Sequence, residues 1–306
     1  MSSRHPHEPI HHVTPRSLSR RGWAAVIIVG IIFIAAYATV ARLYNAEGES
    51  TNTNAPLSGT ESGIIVTVTP VSVEPTTNQV TLDLAFAPQG DVVDTAGRLT
   101  KNTRIAVTSS AGTQELKLTA GDSFNRMEVK VGTTGEEVRY PFDAHAGTFV
   151  VQADTYQRQS DGSLASTGDI QVGLQGSAGV AGWDTAYDFD PSFADTAIGD
   201  ITFTRAFTTK AFAFVLIVLV VALSTLALIV ALLVFSNRRK AEVALLSWSA
   251  ALLFALPLLR TYLPGAPPIG AAIDIYIYLW VIVIAVISAM LSVIAWVRQS
   301  AVRHAS

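Results

Sequence analysis

The sequence predicts an α+β integral membrane protein, in which an extracytoplasmic antiparallel β-sandwich is combined with four transmembrane α-helices, one before the sandwich and three after it. Half of the 306 residues are hydrophobic and only 15% are charged, a more apolar balance than a soluble domain of this size normally has. The excess lies in four long apolar runs, and apolar and polar residues alternate with strand period between the first and second runs.

Each apolar run is long enough to cross a bilayer. A hydrocarbon core of roughly 30 Å needs about 20 apolar residues of helix. The qualifying windows are 23–40, 211–235, 243–263 and 275–297, and Arg260 is the only charged residue in them. The first run is either an uncleaved anchor or a signal peptide, because Ala36–Ala38 has the small-x-small pattern of a cleavage site. Its length of about 18 residues favours the anchor.

Charge segregation predicts the orientation. The two ends and the short loop after the second run carry nine basic residues against two acidic ones, whereas residues 44–210 carry ten basic and twenty-one acidic residues. Basic residues on short loops mark the cytoplasmic side. We therefore expect a multi-pass protein of the cell (plasma) membrane, with both termini cytoplasmic and residues 44–210 extracytoplasmic.

The predicted segments follow in chain order. They are a cytoplasmic basic tail 1–22, a first transmembrane helix 23–43, a linker 44–62, the β-sandwich 63–210, a second helix 211–235, a cytoplasmic loop 236–242, a third helix 243–263, an outer loop 264–274, a fourth helix 275–297 and a cytoplasmic tail 298–306.

About eight or nine short strands are predicted within the β-sandwich. Period-2 alternation separated by Gly, Asp, Asn and Pro turns is typical of antiparallel sheets with one apolar face. The chain has no cysteine, so the core of about 150 residues must form without disulfides. The candidate strands are 64–73, 80–86, 104–108, 116–118, 127–131, 147–153, 170–174, 180–189 and 201–203.

The segment Arg139–Asp143, with the sequence Arg-Tyr-Pro-Phe-Asp, is the first candidate site. Pro141 forces Tyr140 to be extended, Phe142 is suited to plugging one end of a sheet, and Asp143 to capping the turn or pairing with Arg139. We interpret the segment as a structural corner of the outer domain.

Two clusters have side chains of metal-ligand type. Carboxylates are the ligands that Ca²⁺ prefers, but the spacing of the acidic run fits no EF-hand loop, and three prolines near the histidines disfavour an ordered site. We expect no cofactor and no metal site. The clusters are Asp184, Asp188, Asp190, Asp195 and Asp200, and His5, His7, His11 and His12.

The outer loop between the third and fourth helices is the most distinctive stretch. Arg260 and Asp274 flank it at about the same depth, where a charge is costly unless it is paired or reaches the interface. Pro267 and Pro268 stiffen the loop, and Pro257 should kink the third helix. We interpret the two charges as an ion pair that clamps the helices together, with a substrate or lipid-headgroup contact as the alternative.

The fourth helix carries two further patterns. Tyr276, Tyr278 and Trp280 predict an aromatic belt at the outer interface. Ser288 and Ser292, four residues apart, predict a close helix-packing seam.

The chain resembles an uncharacterised family of actinobacterial membrane proteins over residues 22–298. The features that carry the resemblance are the span order, Tyr-Pro-Phe-Asp and the Arg…Pro-Gly-x-Pro-Pro-Ile-Gly…Asp loop. This family implies the architecture and no activity. Tyr140–Asp143 is also similar to the Phe-Pro-Phe-Asp loop of pentameric ligand-gated channels, but here one span precedes the β-domain and three follow, and no span has rows of Ser and Thr.

These observations favour a non-enzymatic scaffold or recognition subunit of unknown activity. The sequence contains no Gly-x-Ser-x-Gly, His-Glu-x-x-His, phosphate-loop or dinucleotide-binding motif. The alternative is a channel- or transporter-like protein with the β-domain as its ligand-sensing module. The expected partners are membrane lipids and either another protein or a second copy of the chain, with no nucleic acid.

Overall fold

The computed structural model describes residues 62–177, 179–190 and 196–304, together with residues 54–55 and parts of a helix between residues 27 and 42. The predicted tail 1–22 and most of the predicted first span 23–43 lie outside the described residues, as do most of the linker and Asp195. The chain divides into two compact units, residues 1–45 and 46–306. The second unit contains the β-domain and three long helices.

Twelve strands are described in the second unit, and they form two sheets. The strands are β1 Asn54–Ala55, β2 Gly63–Glu74, β3 Gln79–Gln89, β4 Thr103–Ser109, β5 Gly112–Leu118, β6 Met127–Gly132, β7 Thr134–Gly135, β8 Ala144–Arg158, β9 Leu164–Ile170, β10 Val172–Gly176, β11 Trp183–Asp190 and β12 Thr196–Arg205. One sheet has the order β1-β10-β2-β3-β6, and the other has the order β11-β12-β8-β4-β5, with β7 and β9 also paired to β8.

The prediction of a wholly antiparallel sandwich is wrong at one pair, because β10 runs parallel to β2. Alternation at 170–174 predicted one strand, but the chain passes there from one sheet to the other. Strand β9 ends at Ile170 in the second sheet, and β10 begins at Val172 in the first. Only Gln171 lies between them, and its carbonyl accepts a hydrogen bond from the Ile64 amide at 2.8 Å.

The predicted linker 44–62 also contributes to a sheet. Asn54 and Ala55 pair with Gln175 and Leu174 at the edge of β10. Composition alone did not indicate this strand because a strand of two residues has too few positions to display a period.

The core lies between the two sheets, where the inward faces of the strands meet. Alternate residues of β2 and β3 face alternate residues of β8 and β12 across it, as the period-2 patterns require. The largest fully buried side chains of this core are Ile64, Val66, Leu82, Leu84, Ile105, Phe149, Leu174, Ile201 and Phe203.

Three helices follow the sandwich and are long and apolar enough to cross a membrane. Helix α1 spans Phe207–Phe235, α2 spans Val243–Arg260 and contains Pro257, and α3 spans Leu279–His304 after a π-helical turn at Asp274–Tyr278. Only Ala206 separates β12 from α1, so the second predicted span begins four residues earlier than expected. Helix α2 ends three residues earlier, because the chain turns after Arg260.

Helix α3 packs against both α1 and α2. Its contact face carries small residues at intervals of three and four, including the predicted pair Ser288 and Ser292, each 1% exposed. Small residues allow helix backbones to approach closely in a membrane. At the end away from the β-domain, the Gln299 side chain accepts a hydrogen bond from the Ala241 amide at 2.7 Å and donates to the Val234 carbonyl at 3.1 Å.

Candidate functional site

A buried polar cluster lies where the β-domain meets the helices. It is built from the start of β8 together with the residue just before it, the last residue of β12 and the first residue of β11, and these three strands are neighbours. His145 lies opposite Phe203, and Trp183 lies opposite Arg205. Because side chains two residues apart share a face, Asp143, His145 and Arg205 continue the inward faces of their strands towards the helices.

The cluster is held by charged hydrogen bonds. Arg205 Nε donates to both carboxylate oxygens of Asp143 at 3.1 Å. His145 Nε2 lies 3.2 Å from Asp143 Oδ2, and since an ionised carboxylate only accepts, Nε2 is the protonated nitrogen. The side chains of Asp143 and His145 are fully buried, and that of Arg205 is 4% exposed. Water is therefore excluded from these charges.

Two aromatic rings complete the surroundings of Arg205. Its guanidinium carbon lies 3.9 Å from the centre of the Trp183 ring and 5.3 Å from that of Tyr140. Cation–π attraction of this kind is stronger in a desolvated site. The rings stabilise a positive charge that has little access to solvent.

Charge states in the cluster follow from these contacts. Burial by itself raises the pKa of Asp143, but the hydrogen bonds from His145 and Arg205 outweigh burial and hold this pKa below its ordinary value. Asp143 is therefore an anion at neutral pH. Burial raises the pKa of Tyr140 to about 12, so its phenol is neutral.

Arg205 also contacts the loop between α2 and α3. Gly265 in this loop has φ +73°, and a Cβ on Gly265 would overlap with Nη1 of Arg205 and lie 3.1 Å from its Cζ. A glycine is needed here both for the backbone conformation and for the close approach. Arg205, the last residue of the β-domain, thus packs closely against the loop that joins α2 and α3.

Two further contacts cross the same junction. Gly182, just before β11, accepts hydrogen bonds at its carbonyl from the Ala206 amide at 3.0 Å and from the Thr209 hydroxyl at 3.1 Å. Tyr140 is 2% exposed and belongs to one apolar cluster with helix and loop residues that include Leu263 and Tyr278. The β-domain and the three helices therefore share a packed interface.

The corner segment differs from the sequence interpretation. Phe142 does not plug a sheet end, since it is 75% exposed, and Tyr140 is the buried ring. Asp143 does not pair with Arg139, which forms an ion pair with Glu136 instead. Pro141 follows Tyr140 through a cis peptide bond.

The outer loop brings Arg260 and Asp274 together. Arg260 Nε and Nη2 donate to the two oxygens of Asp274, each at 2.8 Å. Nη2 also donates to the carbonyls of Pro267 and Pro268 at 3.1 and 3.0 Å, and the Gly270 amide donates to Asp274 at 2.9 Å. The side chains are 21% and 14% exposed. The pair therefore closes the loop on itself and joins the end of α2 to the start of the next helical segment.

A mutant cycle on this pair should show coupling. Arg260→Ala and Asp274→Ala each leave a partly buried charge without its main partner, so each should lower the free energy of unfolding by about 1–3 kcal/mol. The double mutant should lose less than the sum. A charge swap should recover little, because a carboxylate at position 260 would face the carbonyls of Pro267 and Pro268. Thermal unfolding in detergent measures all four variants, and strictly additive losses would show that the two charges act independently.

The three residues of the predicted aromatic belt differ in their exposure. Tyr276 and Trp280 are 77% and 59% exposed, as expected for a belt, but Tyr278 is 3% exposed and packs inward.

Asp184, Asp188 and Asp190 lie on the outer face of edge strand β11, and Asp200 lies opposite Asp188. Among the described residues, no group of three or more His, Asp or Glu side chains is arranged to hold a metal ion.

Sequence reasoning missed Arg205, His145 and Trp183. The available signal was the alternation of side chains along β12, since Arg205 occupies the same set of alternate positions as the apolar residues Ile201 and Phe203. An arginine on the apolar phase of a strand requires a buried acidic partner. Nothing local identified that partner as Asp143, which lies 62 residues earlier in the chain.

Comparison with protein families divides the chain at this junction. Residues 54–203 match the family described as Domain of unknown function (DUF4436). Residues 205–299 match a second family, described as Domain of unknown function (DUF8686). Two domain families meet at Arg205. No match is found among the curated proteins. The two matches agree with the resemblance to uncharacterised proteins.

Proposed function

We propose that this chain is a non-enzymatic scaffold or recognition subunit of a membrane, which holds its β-domain in a fixed orientation on the extracytoplasmic side. The observation that carries the proposal is the contact of Arg205 with Asp143, Trp183 and the loop at Gly265. A domain that only needed a tether would need no such packing. A fixed orientation is useful when the exposed sheets must meet a partner at a set distance from the bilayer.

The burial of the ionic cluster supports a non-enzymatic role. General acid–base or nucleophilic catalysis needs a side chain that reaches the substrate. Asp143 and His145 are fully buried and bonded to one another, so a substrate has no route to them without opening the junction. Their arrangement suits stability and positioning.

The orientation rests on the basic residues at the chain ends and in the loop after α1, which contains Arg238, Arg239 and Lys240. Because the chain has no cysteine, single cysteines report location without background. An impermeant thiol reagent on intact cells should label Ser110→Cys and leave Ser236→Cys unlabelled. The reverse labelling pattern would refute the orientation.

Purification from the native host in mild detergent tests the proposed role. A scaffold or recognition subunit should bring with it a stoichiometric protein or lipid, identified by mass spectrometry. The protein alone, reconstituted in planar bilayers, should give no unitary currents. Reproducible currents abolished by substitutions in the helices would favour the channel-like alternative.

The described helices give that alternative little support. Conduction or proton transfer through a bundle normally uses ionisable groups near the bilayer centre. In α1, α2 and α3, the charged residues lie towards the helix ends: Lys210, Arg260, Arg298 and Arg303.

A further inference from the structure

The corner segment Arg139–Asp143 and the residue before it carry two apolar side chains that the fold leaves uncovered. Val138 and Phe142 are 59% and 75% exposed, whereas Tyr140 and Asp143 are each 2% exposed. The backbone here is held by local hydrogen bonds, since a 3-10 turn at Glu137–Arg139 contains Val138 and the Phe142 amide donates to the Arg139 carbonyl at 2.9 Å. Its inward residues anchor it, and its outward residues present an apolar edge.

The depth of this edge follows from Tyr140. The Tyr140 ring packs in one cluster with Leu263, Ile273 and Tyr278, at the ends of α2 and α3 nearest the β-domain. Exposed aromatic residues beside them, such as Tyr276, are of the kind that lies at the headgroup level of a bilayer. Two residues of extended chain span at most about 7 Å. The Cα atoms of Val138 and Phe142 therefore lie within about that distance of the Cα atom of Tyr140, which is packed against these helix ends.

We propose that Val138 and Phe142 form a wedge that inserts into the leaflet on the β-domain's side, with lipid at the headgroup–acyl boundary as its partner. Tyr140, between the two wedge residues, is packed into the apolar cluster of the helix ends, so the wedge and the helices would meet the same leaflet. Arg139, between the two wedge residues, is 71% exposed and paired with Glu136, so apolar contact supplies the attraction. The inference needs only the membrane location of the three helices, and it holds for any partner of the β-domain.

Depth-dependent fluorescence quenching tests the wedge on the full-length chain. A polarity-sensitive fluorophore is attached to Phe142→Cys in phosphatidylcholine liposomes that contain lipids spin-labelled at a shallow acyl position. Ser160→Cys is the matched control, since it carries the same fluorophore in the turn after β8, roughly 50 Å along a strand of 15 residues.

Position 142 should show blue-shifted emission and be quenched several-fold more strongly than position 160. Equal, weak quenching at both positions would show that the segment faces water. Blue-shifted emission without quenching by the labelled lipids would show that protein covers it. Either result would overturn the wedge. The quenching result does not decide the proposed scaffold role, because copurification tests that role separately.

Discussion

Asp143→Ala should destabilise the protein by about 3–5 kcal/mol, because it leaves the Arg205 guanidinium buried without its anionic partner. Arg205 has only 4% of its side chain exposed, so water cannot replace the lost carboxylate. For a domain of about 150 residues, a loss of this size lowers the unfolding temperature by roughly 6–20 °C. Thermal unfolding in detergent is the measurement.

Asp83→Ala is the matched control for that variant. Asp83 also pairs with an arginine, but Arg126 is 73% exposed, and pairs of this kind contribute about 1 kcal/mol or less. Equal losses for the two variants would contradict the special role of the buried cluster.

The loss from Asp143→Asn should also depend on pH. Because the pKa of Asp143 is depressed in the folded state, its contribution is present above the unfolded pKa of about 3.9. It is lost progressively as the pH falls below that value and through the lower folded pKa.

Gly265→Ala should also destabilise the protein strongly. It forces a side chain into φ +73° and drives a Cβ against Arg205. Positive φ costs a non-glycine residue about 1–2 kcal/mol, and the overlap should add about 1–3 kcal/mol. Gly270→Ala is the control in the same loop, since Gly270 has φ +94° and nothing within 4 Å of its Cβ position. It should show the conformational cost alone.

A second substitution tests whether the overlap with Arg205 causes the extra loss of stability in Gly265→Ala. In an Arg205→Ala background, Gly265→Ala should cost no more than Gly270→Ala, because the overlapping guanidinium is gone. If Gly265→Ala lowers the free energy of unfolding by the same amount in that background, the loop at Gly265 does not press on Arg205. A contact other than that of Arg205 with Gly265 would then hold the junction.

Local patterns were sufficient to predict the three described spans and most strands. A transmembrane run is a property of about 20 successive residues, and a strand such as β3 displays its alternation in the residues Val80–Phe86 themselves. Strand β9 was missed because Leu164–Ile170 is polar at most positions and mostly exposed. Its pairing with β8 is fixed by the neighbouring chain.

The junction was the part that local patterns did not predict. Asp143 and Arg205 meet only because β8 and β12 pair in a particular register, and register is a long-range property. Arg260 and Asp274 were easier to connect, since 14 residues separate them within one loop. Composition predicts a belt residue at Tyr278, but Tyr278 packs inward in one cluster with Tyr140 and residues of the helices.

The central claim is that the β-domain is fixed to the helices through Arg205, and a distance between the two parts tests it most directly. Spin labels at Ser160→Cys, in the turn after β8, and at Tyr262→Cys, in the loop after α2, report that distance by double electron–electron resonance in nanodiscs. The unlabelled chain has no cysteine, so only these two sites are labelled. A fixed junction predicts one narrow distance distribution that broadens in Arg205→Ala. A broad distribution that Arg205→Ala leaves unchanged would mean that the β-domain moves freely on its connection to α1, and would contradict the account.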